Sequence, residues 1–106
     1  MSPRPLGYAT LAVLKALAEG HRYGFDVIDH TGLPSGTVYP ALSTLSRRSL
    51  VESDWEQPGV AHSDGRPRRR YYRVTATGRE VLRESLERLG EMGLGTPRIV
   101  RGGVAE

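Results

Sequence analysis

At 106 residues with no cysteine, the chain has the size of one small domain, and both a disulfide framework and a thiolate metal site are excluded. Fifteen Lys+Arg against 12 Asp+Glu give a formal net charge of +3. Arg66, Arg68, Arg69, Arg70 and Arg73 fall within eight residues that contain no acid, and without those five, 10 cationic side chains face 12 acidic ones. The excess charge is one local stripe on a slightly acidic body, an arrangement suited to meeting a polyanion at one place.

Residues 1–5 read as a short proline-containing arm. From Leu6 to Glu19, the apolar residues Leu6, Ala9, Val13, Leu14 and Leu17 recur at helical spacing, and Gly20 ends the helix. This run, broken by Thr10 and Lys15, is too short to span a bilayer and lacks the features of a signal peptide; a cytoplasmic chain with no membrane partner is expected. Tyr23 to Thr31 predicts a second, shorter helix that offers Phe25, Val27 and Ile28 to the core and ends at Gly32. Leu33-Pro34-Ser35-Gly36-Thr37 is a turn rich in helix-start residues, in which the Ser and Thr oxygens are expected to cap the next helix. That third helix places Val38, Leu42 and Leu45 on one face and Arg47 and Arg48 in its last turn, where cations suit the helix dipole. Pro40 is expected in its first turn, where a missing N–H costs nothing.

Leu50 to Glu56 alternates, with Val51, Ser53 and Trp55 on one side and Glu52, Asp54 and Glu56 on the other. The pattern predicts a half-buried strand with Trp55 covering the core. Gln57 to Pro67 reads as a loop and Arg68 to Thr75 as the return strand, with Tyr71 and Tyr72 on opposite faces. Gly78 to Met92 predicts a fourth helix, with Thr77 as its N-cap and Val81, Leu82, Leu86 and Leu89 on one face. Residues 93–106 read as a flexible tail.

Helix, helix, tight turn, helix, strand, basic loop, strand, helix is the order of a winged helix-turn-helix, a mostly helical α+β class. The expected division is a winged helix-turn-helix domain over 1–77, a dimerisation helix over 78–92 and the tail over 93–106. Candidate contacts with double-stranded DNA are Ser35, Gly36, Thr37, Tyr39 and Pro40 at the start of the third helix, where a recognition helix meets the bases, with Ser43 and Arg47 further along its outer face. Arg66, Arg68, Arg69 and Arg70 would neutralise phosphates, with Arg66 and Arg68 ranked first at the tip and Arg73 read as the partner of an acid. The plainer reading of this stripe is a solvated charged loop. The apolar face of the last helix fits pairing with a second copy through Leu82, Leu86 and Leu89, joined by Leu6, Tyr8 and Leu11 of the first helix. Asp26, Asp29 and His30 share a helical face, but three such residues on a surface helix are common by chance, and no metal is assigned. No nucleophile–base pattern or glycine loop is present, so neither an enzyme nor a cofactor is expected.

Three segments carry a resemblance: Gly20-His21-Arg22-Tyr23-Gly24-Phe25-Asp26-Val27-Ile28; Gly36-Thr37-Val38-Tyr39-Pro40-Ala41-Leu42-Ser43-Thr44-Leu45; and the stretch from Gly65 to Gly78. In this order they resemble the PadR family of bacterial transcriptional regulators, over about Leu6 to Met92. The resemblance implies a homodimeric winged-helix repressor with its third helix in the major groove, its wing beside the backbone or minor groove, and a C-terminal helix at the dimer contact. The single short helix there is similar to the short-tailed branch. Ser49 departs from the family pattern, which has glycine at that corner. Family members respond to phenolic acids or planar drugs, and the sequence selects neither, so a small-molecule effector stays open. Two alternatives stand beside this reading: a winged-helix protein-interaction module without DNA binding, and a metal- or small-molecule-responsive sensor.

Overall fold

Helix α1 (Tyr8–Ala18) buries Leu11, Ala12, Val13, Leu14, Ala16 and Leu17, so apolar side chains point from it in nearly every direction. A helix of that kind needs neighbours all round. In the computed structural model, which describes residues 5–93, they are α2 (Gly24–Thr31), α3 (Ser35–Arg47), β2 (Arg70–Val74) and α5 (Ala76–Glu91). Strand β1 (Val51–Trp55) and the short helix α4 (Pro58–Ser63) complete the order α1-α2-α3-β1-α4-β2-α5. The architecture is the expected mostly helical α+β class with a small antiparallel sheet. The arm over residues 1–4 and the tail from 94 onward lie outside the described residues.

The core joins Val13, Leu14 and Leu17 of α1 to Val27 of α2, Val38, Leu42 and Leu45 of α3, and Val51 and Val74 of the strands. Fully burying one Val or Leu side chain contributes about 1.5–3 kcal/mol. Phe25, expected in this core, is 74% exposed. Helix α2 is short and turns a single stripe inward, Gly24, Val27 and Thr31, which leaves Phe25 off it. The turn to α3 is tight. Gly32 takes φ 75° and donates its N–H to the Ile28 carbonyl at 2.9 Å, and Thr31 Oγ1 accepts from Leu33 N at 3.1 Å.

Helix α3 departs from expectation at its start. It begins at Ser35 after Pro34, and no side chain caps it, so the capping role expected of the Ser and Thr hydroxyls is not taken. Because the helix starts that early, Pro40 is its sixth residue and lies in the second turn, not the first. A proline there withholds a hydrogen bond from the Gly36 carbonyl, at a cost of about 3 kcal/mol in a helix interior. Both residues are on the exposed side, where the freed carbonyl can turn to water. At the other end, Ser49 N donates to Ser46 O at 3.0 Å and Leu50 N to Leu45 O at 2.9 Å, with Ser49 at φ 59°. This is a Schellman stop that suits glycine, here made by serine.

The strands pair in the register Val51↔Val74, Ser53↔Tyr72 and Trp55↔Arg70. A third rung comes from the α1–α2 corner: Tyr72 N donates to Arg22 O at 2.8 Å, and Tyr23 bridges Tyr71. Val51 is buried, but Trp55 at the far end of β1 is 56% exposed, which corrects its expected place over the core. The inward face of the strand runs out beyond the helices, and the next residue, Glu56, is the buried one. The segment 57–67 is not all loop. Pro58 at its first position starts α4, which buries Ala61. The cap of α5 is Thr75, not Thr77: Thr75 Oγ1 accepts from Gly78 N at 3.0 Å and donates to Ser49 O at 2.8 Å. A Cβ on Gly78 would lie 2.0 Å from the Leu50 carbonyl oxygen, so only glycine lets α5 approach this corner.

Candidate nucleic-acid interface

Helix α3 has two faces. Val38, Ala41, Leu42 and Leu45 hold it against the core. Opposite them Ser35, Gly36, Tyr39, Pro40, Ser43 and Arg47 are exposed, while Thr37 is half-buried. Arg47 bonds locally, from Nη1 to Ser43 Oγ at 3.1 Å and from Nη2 to Thr44 Oγ1 at 3.3 Å. Tyr39 leans towards the start of α2, where a Cβ on Gly24 would lie 2.6 Å from its ring. Only a residue without a Cβ fits at position 24 beside that ring.

A groove of about 330 Å³ runs between this face and the hairpin, lined by Tyr23, Gly24, Phe25, Tyr39 and the segment Arg66, Pro67, Arg68 and Arg69. It brings the candidate residue Tyr39 beside three of the four candidate wing arginines.

The hairpin is anchored by Glu56. Arg66 donates to its two carboxylate oxygens from Nη1 at 2.6 Å and Nη2 at 2.9 Å. The Arg69 backbone N–H adds a bond at 3.2 Å and the Tyr71 hydroxyl one at 3.0 Å. The Arg66 hydrogen bonds, reinforced by those from Arg69 and Tyr71, outweigh burial and hold the Glu56 carboxyl down to about 2 from 4.5. Arg66 Nη2 also reaches Asp64 at 3.1 Å. The ranking of Arg66 among the foremost tip contacts therefore meets a different arrangement, in which both terminal nitrogens are engaged by acids. Arg73 is paired as the sequence suggests, with Glu52 at 2.5 Å and Asp54 at 3.7 Å.

Among the described residues, the partners of Arg68, Arg69 and Arg70 are neutral. Arg68 Nε donates to the Glu56 carbonyl and Arg70 Nε to Ser53 Oγ, each at 2.9 Å. The guanidinium of Arg69 lies 4.2 Å from the Tyr23 ring centroid. The useful positive charge thus sits on three consecutive residues. Sequence reasoning missed Trp55, Phe25 and Glu56 here; the cross-strand position of Trp55 opposite Arg70 becomes visible only with the hairpin register.

Of the six apolar residues expected at a dimer contact, Tyr8 is exposed, Leu6, Leu82, Leu86 and Leu89 are half-buried, and Leu11 is buried in its own chain. Leu11 has the least surface to offer a second copy. Asp26 and His30, considered together as metal ligands, both meet His21: its Nδ1 lies 3.1 Å from Asp26 Oδ1, and its ring stacks on that of His30 at 3.9 Å. Among the described residues, no three acidic or His side chains are grouped to hold a metal ion, and no helix is long and apolar enough to cross a membrane.

The architecture has close counterparts. A PadR family transcription regulator from Clostridium difficile R20291 is 24% identical, covers 82% of this chain and 92% of its own, and superposes with a TM-score of 0.70. A transcriptional regulator from Clostridium thermocellum, Cth-833, is 22% identical, with coverages of 82% and 84% and a TM-score of 0.70. BpsR of Bordetella bronchiseptica, whose DNA binding is regulated by 6-hydroxynicotinic acid, is 22% identical over 99% of this chain and 72% of its own, with a TM-score of 0.66. No curated protein matches the sequence. The model of the PadR-like transcriptional regulator family matches residues 13–84, through α2, α3, the wing and the first half of α5, and the chain belongs to that family.

Proposed function

We propose that this protein is a cytoplasmic, homodimeric transcriptional repressor that binds an inverted-repeat operator in double-stranded DNA. The observation that carries the reading is the shared groove: Tyr39 on the outward face of α3 stands on one side of it, and Arg66, Arg68 and Arg69 of the hairpin stand on the other. In this reading α3 lies in the major groove and Ser35, Gly36, Thr37, Tyr39 and Pro40 meet the duplex first, with Ser43 and Arg47 following. The uncapped N–H groups of its first turn suit phosphate oxygens. Arg68, Arg69 and Arg70 lie along the backbone or minor groove, and Arg66 keeps the hairpin in shape. Residues 1–77 serve as the DNA-binding unit and 78–92 as the pairing helix, with Leu6, Tyr8, Leu82, Leu86 and Leu89 shared between copies.

Selection of bound sites from a random duplex pool tests this directly. The expected product is a two-fold symmetric site with half-sites about one helical turn, roughly 34–36 Å, apart. Failure to enrich any sequence overturns the regulator reading, and a light-scattering mass near the monomer's 11.6 kDa at micromolar concentration overturns the dimer. A second reading, a small-molecule-responsive regulator, draws on BpsR and on the aromatic lining of the groove, where a bound ligand would stand between α3 and the wing. Operator affinity unchanged by saturating 6-hydroxynicotinic acid removes that compound as the effector.

A further inference from the structure

The arginines of the hairpin are held in two ways. Arg66 and Arg73 give their terminal nitrogens to carboxylates: Glu56 and Asp64 for the first, Glu52 and Asp54 for the second. Arg68 and Arg70 are instead held, among the described residues, through Nε bonds to neutral oxygens of Glu56 and Ser53. Both also lie over the ring of Trp55, at 5.6 and 5.5 Å from its centroid. Trp55 is more than half exposed and has no place in the core. A large exposed indole is explained if it serves the cations around it. Its ring quadrupole attracts a guanidinium, and the contact removes rotamer freedom that a lone surface arginine would lose on binding. The Nε bond fixes the near edge of each guanidinium, and both side chains are exposed.

We propose that Trp55 is a positioning residue, which holds Arg68 and Arg70 so that their terminal nitrogens form a two-pronged clamp for phosphate oxygens of a duplex backbone. The proposal rests on the DNA-binding reading and adds to it the residue that prepares the wing. A phosphate clamp carries no sequence information, so it acts equally on operator and random DNA.

The test is a salt series of binding to a random-sequence duplex by the full chain, with Trp55→Ala, Trp55→Phe, Arg68→Ala/Arg70→Ala and the triple variant. Trp55→Ala is expected to bind roughly tenfold more weakly, the worth of two exposed cation–π contacts. Its log–log salt slope should become shallower by up to about 0.9 for each phosphate released. Trp55→Phe should retain most of the affinity, and the triple variant should bind no worse than Arg68→Ala/Arg70→Ala. A purely structural tryptophan would not move the salt slope. Equal affinity and slope for parent and Trp55→Ala overturn the clamp and leave the DNA reading standing, as does a full further loss in the triple variant. If the parent shows no salt-dependent binding, the DNA reading itself falls and the clamp falls with it. Should Trp55→Ala fail to fold, the parent still decides: Trp55 is the sole tryptophan, and its emission must change when duplex saturates the protein.

Discussion

Helix α3 and the hairpin border the same groove, but they are held there by different forces. The helix is placed by apolar side chains on its inner face, and among the described residues the side-chain bonds of its outer face are local, from Arg47 to Ser43 and Thr44. The hairpin has few apolar residues to pack: beyond Val51, Val74 and the half-buried Tyr72 it relies on one buried carboxylate that accepts from Arg66, Arg69 and Tyr71. Hydrophobic burial does not depend on pH, whereas a carboxylate anchor does. Two halves of one binding surface should therefore fail under different conditions.

The largest effect is expected from the helix side. Leu42→Ala removes a fully buried side chain between α3 and the core and should destabilise the fold by about 2–5 kcal/mol. Urea denaturation followed by circular dichroism and by Trp55 emission should give one coincident, shifted transition, because the loss is global. If the Trp55 transition separates from the helical one, the helix and hairpin are less coupled than the shared core implies.

Glu56 should break the hairpin and spare the helices. The unfolded carboxyl titrates near 4.5 and the folded one near 2, so the stabilisation it supplies is complete above 4.5 and is lost as the pH falls towards 2. On acidification, Trp55 emission should change before the helical signal does. Glu56→Gln should produce the same opening at neutral pH, seen as faster amide exchange at Arg69 and Tyr72, and should flatten the acid transition of the Trp55 signal. Coincident acid transitions in the parent would show that the anchor is not a separate unit.

The contrast also explains how far the sequence could be read. Helical periodicity placed α1, α2 and α3, and alternation placed β1, because each of these signals reports a face turned to the core. The wing followed from Gly65, Pro67 and the extended-favouring run after them. What the sequence left unread depends on where the inward faces end. Trp55 and Glu56 exchange their expected places because β1 outruns the helices that cover Val51. Phe25 falls beside the single inward stripe of α2. Residues 57–67 read as a loop although Pro58 is the first residue of α4, and the roles of Arg66, Arg68 and Arg70 were fixed by partners across the hairpin that no local pattern could assign. Gly78 is a case of the same kind, since its need for glycine comes from the Leu50 carbonyl 28 residues earlier.

Ser49 offers a smaller change at the joint between the two regions. Its φ of 59° is left-handed, which costs a non-glycine residue about 1–2 kcal/mol, while glycine gives back roughly 0.5–1 kcal/mol through the freer unfolded chain. Ser49→Gly should therefore stabilise the protein by about 0.5–1 kcal/mol. The Schellman bonds need only backbone, so they survive. The denaturation midpoints of the helical and Trp55 signals should rise together, and a fall would mean that the serine side chain does something beyond filling the corner.

Arg73→Ala should have the smallest effect, and for that reason it sharpens the division among the arginines. Arg73, Glu52 and Asp54 have side-chain exposures of 65%, 60% and 78%, so water screens their pairing and the cross-strand ion pair contributes about 0–1 kcal/mol. Its terminal nitrogens already face carboxylates, and a phosphate would have to displace them. Removing it also frees two acids, which repel a duplex weakly from a distance. The variant should therefore lose a little affinity at low salt while keeping nearly the parental salt slope, in contrast to Arg68→Ala/Arg70→Ala. A slope reduced by a full phosphate's worth in Arg73→Ala would place Arg73 on the duplex and show that acid pairing does not decide which arginines of the hairpin reach DNA.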